Sequence, residues 1–160
     1  MARHLLLRLW LSIALCSNVL SLNVSSAWSE VLEPFQQVRD LRIYIGVIPA
    51  RIAQRHPSTH PEASMHGKAS ASDMHLVVAV FDSNGKRIET ADVTASVSGL
   101  GHTSENFIVL EPMKIAETIT FGGFVRLSTT ETQNIEIEIR RPGIQLPHKA
   151  IFSHVPAGKS

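Results

Sequence analysis

Residues 74–81 read Met-His-Leu-Val-Val-Ala-Val-Phe, and residues 82–85 read Asp-Ser-Asn-Gly. The first run is almost continuously apolar and rich in β-branched residues, which is typical of a strand covered on both faces. The second run carries the residues of a hairpin turn. Together they favour a domain built on a β-sheet.

Other parts of the chain show the two-residue period of half-buried strands. Apolar residues alternate with polar ones over residues 40–48, where Pro49 ends the strand, and again over residues 93–98 and 135–139. Shorter strands are predicted at residues 107–110, 124–127 and 150–154. These patterns predict an all-β, immunoglobulin-like antiparallel β-sandwich of about seven strands, with a small barrel as the competing architecture.

The amino end is typical of a cleavable signal peptide. Arg3 and Arg8 precede an apolar run over residues 9–15, and a polar stretch then ends in small residues at Ala27. At 160 residues the whole chain has the length for one domain with a core. We expect four segments: a signal peptide (1–27), an N-terminal extension (28–39), the sandwich (40–155) and a tail (156–160).

The only cysteine, Cys16, lies inside the predicted signal, so the mature domain has no thiol. A lipoprotein is the alternative, but the bulky Leu15 before this cysteine disfavours lipidation. We therefore expect a periplasmic protein that is not inserted in the membrane after cleavage.

Composition disfavours several function classes. The net charge is +1, and acidic and basic residues are interspersed along the chain. Aromatic residues make up only 6%. Neither feature supports a nucleic-acid or anionic-membrane partner. No nucleophile elbow, phosphate loop, dinucleotide fingerprint or His-Glu-x-x-His pair occurs. We expect no enzyme, although a hydrolase with an unrecognised site stays as a third hypothesis.

One segment concentrates metal-binding side chains. Residues 56–67 read His-Pro-Ser-Thr-His-Pro-Glu-Ala-Ser-Met-His-Gly. Imidazole, carboxylate and thioether are the donors left to a thiol-free protein, and the thioether favours Cu(I). In an extended chain His60 and Glu62 point to the same side, and Met113 is a candidate to close the site from another strand. The alternative is that these are solvated loop histidines and core methionines. His75 is predicted to be an edge histidine, and His102, His148 and His154 surface residues.

Two short motifs, the second of them in two parts, resemble a known family. Residues 60–66, His-Pro-Glu-Ala-Ser-Met-His, resemble the His-x-Glu-Ala-x-x-His stretch of the periplasmic iron-transport accessory family. Residues 110–113, Leu-Glu-Pro-Met, resemble its Leu-x-Pro-Met, and residues 121–125, Phe-Gly-Gly-Phe-Val, resemble its Tyr-Gly-x-Asn-Val. The broader set of YtkA-like periplasmic domains is similar as well.

The resemblance implies a copper-binding immunoglobulin-like sandwich that takes part in ferrous iron uptake and dimerises around its metal sites. It places metal ligands at Glu62 and Met113, with His60 beside them and His66 as a further candidate. The family has a histidine before its Tyr-Gly pair, whereas this chain has Thr120. His75, His102 or a partner chain would then have to compensate.

The sequence is therefore consistent with two functions. The first is a periplasmic, non-catalytic metal-handling protein, with copper as its cofactor and a role in iron or copper transport. The second is an immunoglobulin-like interaction or structural module of the envelope, which binds a partner protein and no metal. Donor atoms of Glu62 and Met113 within coordination reach of each other would favour the first.

Overall fold

The structure, a computed structural model, describes residues 30–53, 70, 72–99, 102–103 and 107–156. These residues form ten β-strands and one short helix, α1 (Ala50–Ala53). The strands are β1 (Glu30–Leu32), β2 (Phe35–Val38), β3 (Leu41–Pro49), β4 (Met74–Asp82), β5 (Asp92–Gly99), β6 (His102–Thr103), β7 (Ile108–Ile115), β8 (Thr118–Val125), β9 (Gln133–Arg140) and β10 (His148–Val155).

The strands pair antiparallel along one continuous path, β1-β10-β9-β5-β7-β8-β4-β3-β2, with β6 added to β5. The path turns at β7, because its residues 108–110 pair with β5 and its residues 111–115 pair with β8. Near the two ends of the path, the side chain of Gln36 in β2 exchanges hydrogen bonds with the backbone of Ile151 in β10. The sheet is therefore nearly closed on itself.

The prediction of an all-β antiparallel domain is confirmed, but its details change. Eight strands have four residues or more, against about seven predicted, and the shared strand β7 gives a barrel-like sheet rather than two separate ones. The additional strands β1 and β6 have three and two residues, which is too short for a two-residue period to be visible. Strands β1 and β2 lie within the stretch predicted as an N-terminal extension.

The turn after β4 forms as predicted and folds residues 86–88 back on β4, but no full strand of the described residues pairs with β4 there. The Asp82 carboxylate accepts hydrogen bonds from the backbone N–H groups of Asn84 and Lys86, each at 2.9 Å. Gly85 takes the left-handed conformation, with φ of 83°, that a residue without Cβ adopts at low cost. Phe81 and Arg87 make a single bridge, and the chain then crosses to β5, which pairs with β7 and β9 instead.

The core lies inside the curled sheet and is built from alternate residues of facing strands. On β4 these residues are Leu76, Val78 and Val80, all fully buried. The core continues across the sheet through Leu41, Ile43, Val93, Ala95, Leu110, Phe121, Ile135, Ile137, Ile139, Ala150 and Phe152. Each fully buried aliphatic or aromatic side chain contributes roughly 1.5–3 kcal/mol.

The remaining side chains of β3, β4 and β8, with those of β7 on the same side, form a second surface that we call the outer face. Because strand residues alternate, His75 and Val77 lie on the outer face between core residues of β4. No helix among the described residues has the length and apolar character needed to cross a membrane.

Two histidines predicted at the surface are buried. His148 and His154, both on β10, point into the fold because they continue the two-residue period of the core residues Ala150 and Phe152. Neither ring nitrogen of His154 has a hydrogen-bond partner among the described residues. Burial lowers the pKa of His154 below its usual 6.5, since the charged ring is poorly solvated there.

This burial predicts a pH-dependent stability. The unfolded chain takes up a proton on residue 154 near pH 6.5 and the folded protein does so only at lower pH, so the free energy of unfolding falls as pH drops through 6.5. The slope from one such group is at most about 1.4 kcal/mol per pH unit. Urea unfolding between pH 7.5 and 5 should show a flatter profile for His154→Leu than for the wild type. Parallel profiles would contradict the prediction.

Candidate metal centre

Met113 lies on the outer face and is nevertheless completely buried. It is on β7, three residues beyond Leu110, the last residue of the strand that pairs with β5. Pro112 is accommodated there because β7 is paired with β8 alone, and an edge strand tolerates the missing N–H group. Met113 is therefore a buried thioether that is not one of the residues of the main core.

Gly122 of β8 provides the space for this thioether. A Cβ atom at this position would overlap the terminal methyl of Met113 and lie 2.8 Å from its sulfur. The same Cβ atom would lie 3.0 Å from Nε2 of His75. Since both donor atoms lie within 3.0 Å of one point, the sulfur and the nitrogen are separated by no more than twice that distance.

His75 reaches Gly122 from the opposite side. Strand β8 lies between β7 and β4. Gly122 pairs with Val77 on β4, so His75, two residues away, is its diagonal neighbour. His75 is 1% exposed, and its ring packs against Phe124 with a centroid distance of 5.3 Å. A strand position without a side chain thus lets an imidazole and a thioether from the two flanking strands meet.

Two further polar residues surround the same glycine. Glu111 is the cross-strand partner of Gly122, on the same strand and face as Met113, and it is exposed. Thr120 is the cross-strand partner of Met113 and is mostly buried, with its hydroxyl 3.5 Å from the Met113 carbonyl oxygen. The outer face therefore carries a thioether, an imidazole, a carboxylate and a hydroxyl around Gly122.

The chemistry of this set fits copper. Thioether sulfur is a soft donor that selects Cu(I), and imidazole suits copper in either oxidation state. Within the described residues no group of three His, Cys, Asp or Glu side chains gathers to hold a metal ion. A metal site here would thus depend on the thioether, which argues against a site of the usual zinc type.

The predicted ligands have different outcomes. Met113 is placed beside Nε2 of His75, which was not among the predicted ligands. His60, Glu62 and His66 fall in residues 54–69, outside the described residues, so their convergence on Met113 stays a prediction. That segment starts after Ala53 and leads back to β4, and Pro49 pairs with Met74 at the start of β4. The described elements that flank this segment in the sequence, α1 and the start of β4, therefore lie at the end of β4 that carries His75.

From the sequence, His75 is predicted to be an edge histidine, and its one suggested function is to replace the histidine that is absent at Thr120. The structure places it in the middle of the sheet, because β4 is flanked by β3 and β8. One local signal was available: His75 is out of phase with the core residues of its strand, so its side chain had to leave the core. Its partner across β8 could not be read from sequence.

The sequence matches no family model, and no curated protein matches it. Solved structures do match. A copper-bound variant of Campylobacter jejuni P19 has a TM-score of 0.60 at 10% identity, covering 83% of this chain and 100% of that one. A copper-bound variant of FetP from uropathogenic Escherichia coli has a TM-score of 0.59 at 10% identity, covering 79% and 95%. A DUF4426 family protein from Pseudomonas aeruginosa has a TM-score of 0.53 at 19% identity, covering 78% and 98%.

These similarities confirm the resemblance at the level of structure. At such low identity they establish the fold and no more, and the fold agrees with the family that the two sequence motifs indicated. The chain is thus structurally similar to the copper-binding proteins P19 and FetP and to the DUF4426 family, while being distant from each of them in sequence.

Proposed function

We propose that this protein is an exported, non-catalytic copper-binding protein of the periplasm that serves iron or copper transport. The observation that carries the proposal is Met113, whose thioether is buried on the outer face beside an imidazole. A methionine with only a packing role is expected among the other core residues, whereas a thioether beside a histidine is suited to copper.

Two further lines support the proposal. Two of the structurally similar proteins, variants of P19 and FetP, are copper-bound. In the sequence, the segment with His60, Glu62 and His66 connects α1 to β4, and Pro49, just before α1, pairs with Met74 beside His75. We keep these three residues as proposed ligands with Met113.

The test is copper binding by protein purified after export, measured for Cu(I) by competition with a chromophoric chelator and for Cu(II) by titration. We expect Met113→Leu, which nearly conserves volume, to lower the Cu(I) affinity by about tenfold or more, or ~1.4 kcal/mol. Met74→Leu is the matched control, because Met74 packs against the core. Equal affinities in the two variants, or a wild type that binds no copper, would overturn the proposal.

A second function, an interaction module of the envelope, is favoured by a different part of the outer face. Phe35 and Tyr44 are about two-fifths exposed, with ring centroids 4.8 Å apart, and Tyr44 contacts Phe81 at 5.5 Å. The guanidinium of Arg87 lies 4.3 Å from the centre of the Phe81 ring. Exposed aromatic residues and arginine are common in protein interfaces. These aromatic residues and Arg87 lie near the turn after β4, at the opposite end of that strand from His75.

A further inference from the structure

The resemblance leaves one ligand position without a histidine, and the structure shows where that position lies. Thr120 is the cross-strand partner of Met113. A histidine at residue 120 would therefore extend from β8 on the same face as the thioether and directly beside it. A threonine hydroxyl is a poor ligand for Cu(I), so an imidazole must come from elsewhere if copper binds at Met113.

His75 lies where such an imidazole is needed. It belongs to β4, the other neighbour of β8, and its Nε2 and the Met113 sulfur are each within 3.0 Å of the point where a side chain of Gly122 would begin. The side chain is 1% exposed, and the Phe124 ring at 5.3 Å limits the orientations open to the imidazole. An ordered, desolvated donor loses little conformational entropy when it binds an ion.

We infer that His75 is a copper ligand and that it replaces the histidine missing at Thr120. This inference rests on the proposed function and makes it more specific. The resulting pair is a neutral imidazole and a thioether from strands on either side of a glycine. Because one donor is soft and neither carries charge, the pair favours Cu(I) over Cu(II). Glu111, exposed on the same face, is a hard donor and takes no part in that preference.

The experiment compares His75→Leu with His154→Leu in Cu(I) competition titrations. Both histidines are 1% exposed, so the two variants lose a buried imidazole of similar size, and His154 lies on β10, which does not pair with β8. We expect about a tenfold or greater loss of Cu(I) affinity in His75→Leu and wild-type affinity in His154→Leu. Met113→Leu is measured alongside.

The outcomes separate this inference from the proposed function. If Met113→Leu loses Cu(I) affinity and His75→Leu does not, the protein binds copper but His75 is not a ligand. If neither variant differs from the wild type, the proposed function itself fails.

A second measurement avoids dependence on how well the variants fold. In wild-type protein labelled with 15N in its histidine side chains, one equivalent of Cu(I) should shift the resonance of the coordinating ring nitrogen of His75. Signals of His154 should stay unchanged. Saturation with Cu(I) without any change at His75 would overturn the inference.

Discussion

Gly122→Ala is expected to lower the Cu(I) affinity by about tenfold or more and to destabilise the fold by about 1–3 kcal/mol. The added methyl would overlap the Met113 methyl and lie 2.8 Å from the sulfur and 3.0 Å from Nε2 of His75. Both donors are in side chains that are essentially buried, so neither can move without shifting its neighbours. The substitution therefore separates the two proposed ligands without removing either.

The same sheet offers a matched control for this substitution. Gly46 lies on β3 and on the outer face, because it pairs with Val77, the residue that also pairs with Gly122. A Cβ atom at Gly46 would meet nothing within 4 Å. Gly46→Ala should leave copper binding unchanged and keep or slightly raise stability, since alanine restricts the unfolded chain. Urea unfolding and Cu(I) competition measure both variants.

A double-variant cycle tests whether the clash is with Met113. Met113→Ala alone should cost about 2–5 kcal/mol, as for a buried methionine. Gly122→Ala combined with Met113→Ala should cost less than the two single variants together, because the new methyl occupies space that the shortened side chain leaves. Additive losses, or a Gly122→Ala variant that matches Gly46→Ala in stability and affinity, would show that Gly122 does not hold the site.

The sequence predicts a strand of this fold where apolar and polar residues alternate without interruption, or where apolar residues run continuously. Strands β3, β4, β5, β9 and β10 were found because their apolar residues alternate or run continuously. Strand β8 was placed too late, at residues 124–127, because Gly122 and Gly123 interrupt its apolar pattern. The sequence predicts a strand only as far as Leu110, since Pro112 has no N–H group to donate to a ladder, yet pairing with β8 extends β7 to Ile115.

Local sequence predicts even less of the candidate site than of the strands. Met113 could be chosen from sequence by residue type and by its motif. Its partner His75 is 38 positions away on a strand that does not pair with β7, and only the order β7-β8-β4 brings the two together. Sheet order is set by packing of the whole chain, which no local pattern encodes. Gly122, the residue that makes the meeting sterically feasible, has no chemical group that a search for ligands could find.

The second large effect concerns the end of the fold opposite to Met113 and His75. Asp40 lies in the turn between β2 and β3, and its carboxylate accepts hydrogen bonds from Nε2 of His148 at 2.8 Å and from Arg141 at 2.6 Å. These partners lie at the start of β10 and just after β9. The side chain of His148 is 2% exposed, so it has little access to water as a replacement partner, whereas that of Arg141 is 17% exposed.

Asp40→Ala is therefore expected to lower the free energy of unfolding by about 1–2 kcal/mol at pH 7, since it leaves the buried His148 ring without its acceptor, while water can replace part of the Arg141 contact because the Asp40 side chain is 50% exposed. Glu117→Ala is the control. Glu117 forms an ion pair with Lys114 at 2.8 Å, but the two side chains are 87% and 57% exposed. Loss of such a surface pair should cost about 0–1 kcal/mol. Similar losses in the two variants would show that the Asp40 cluster is no stronger than a surface ion pair.

The pH dependence of this loss identifies the carboxylate charge as its source. The hydrogen bond from His148 and then that from Arg141 lower the pKa of Asp40 from 3.8 to about 2. The folded state thus holds the carboxylate ionised where the unfolded chain protonates it, so the stabilisation is complete above pH 3.8 and is lost as pH falls toward 2. The difference in unfolding free energy between wild type and Asp40→Ala should accordingly be smaller below pH 4 than at pH 5. A difference that persists unchanged at pH 2.5 would mean that Asp40 acts through packing and not through its charge.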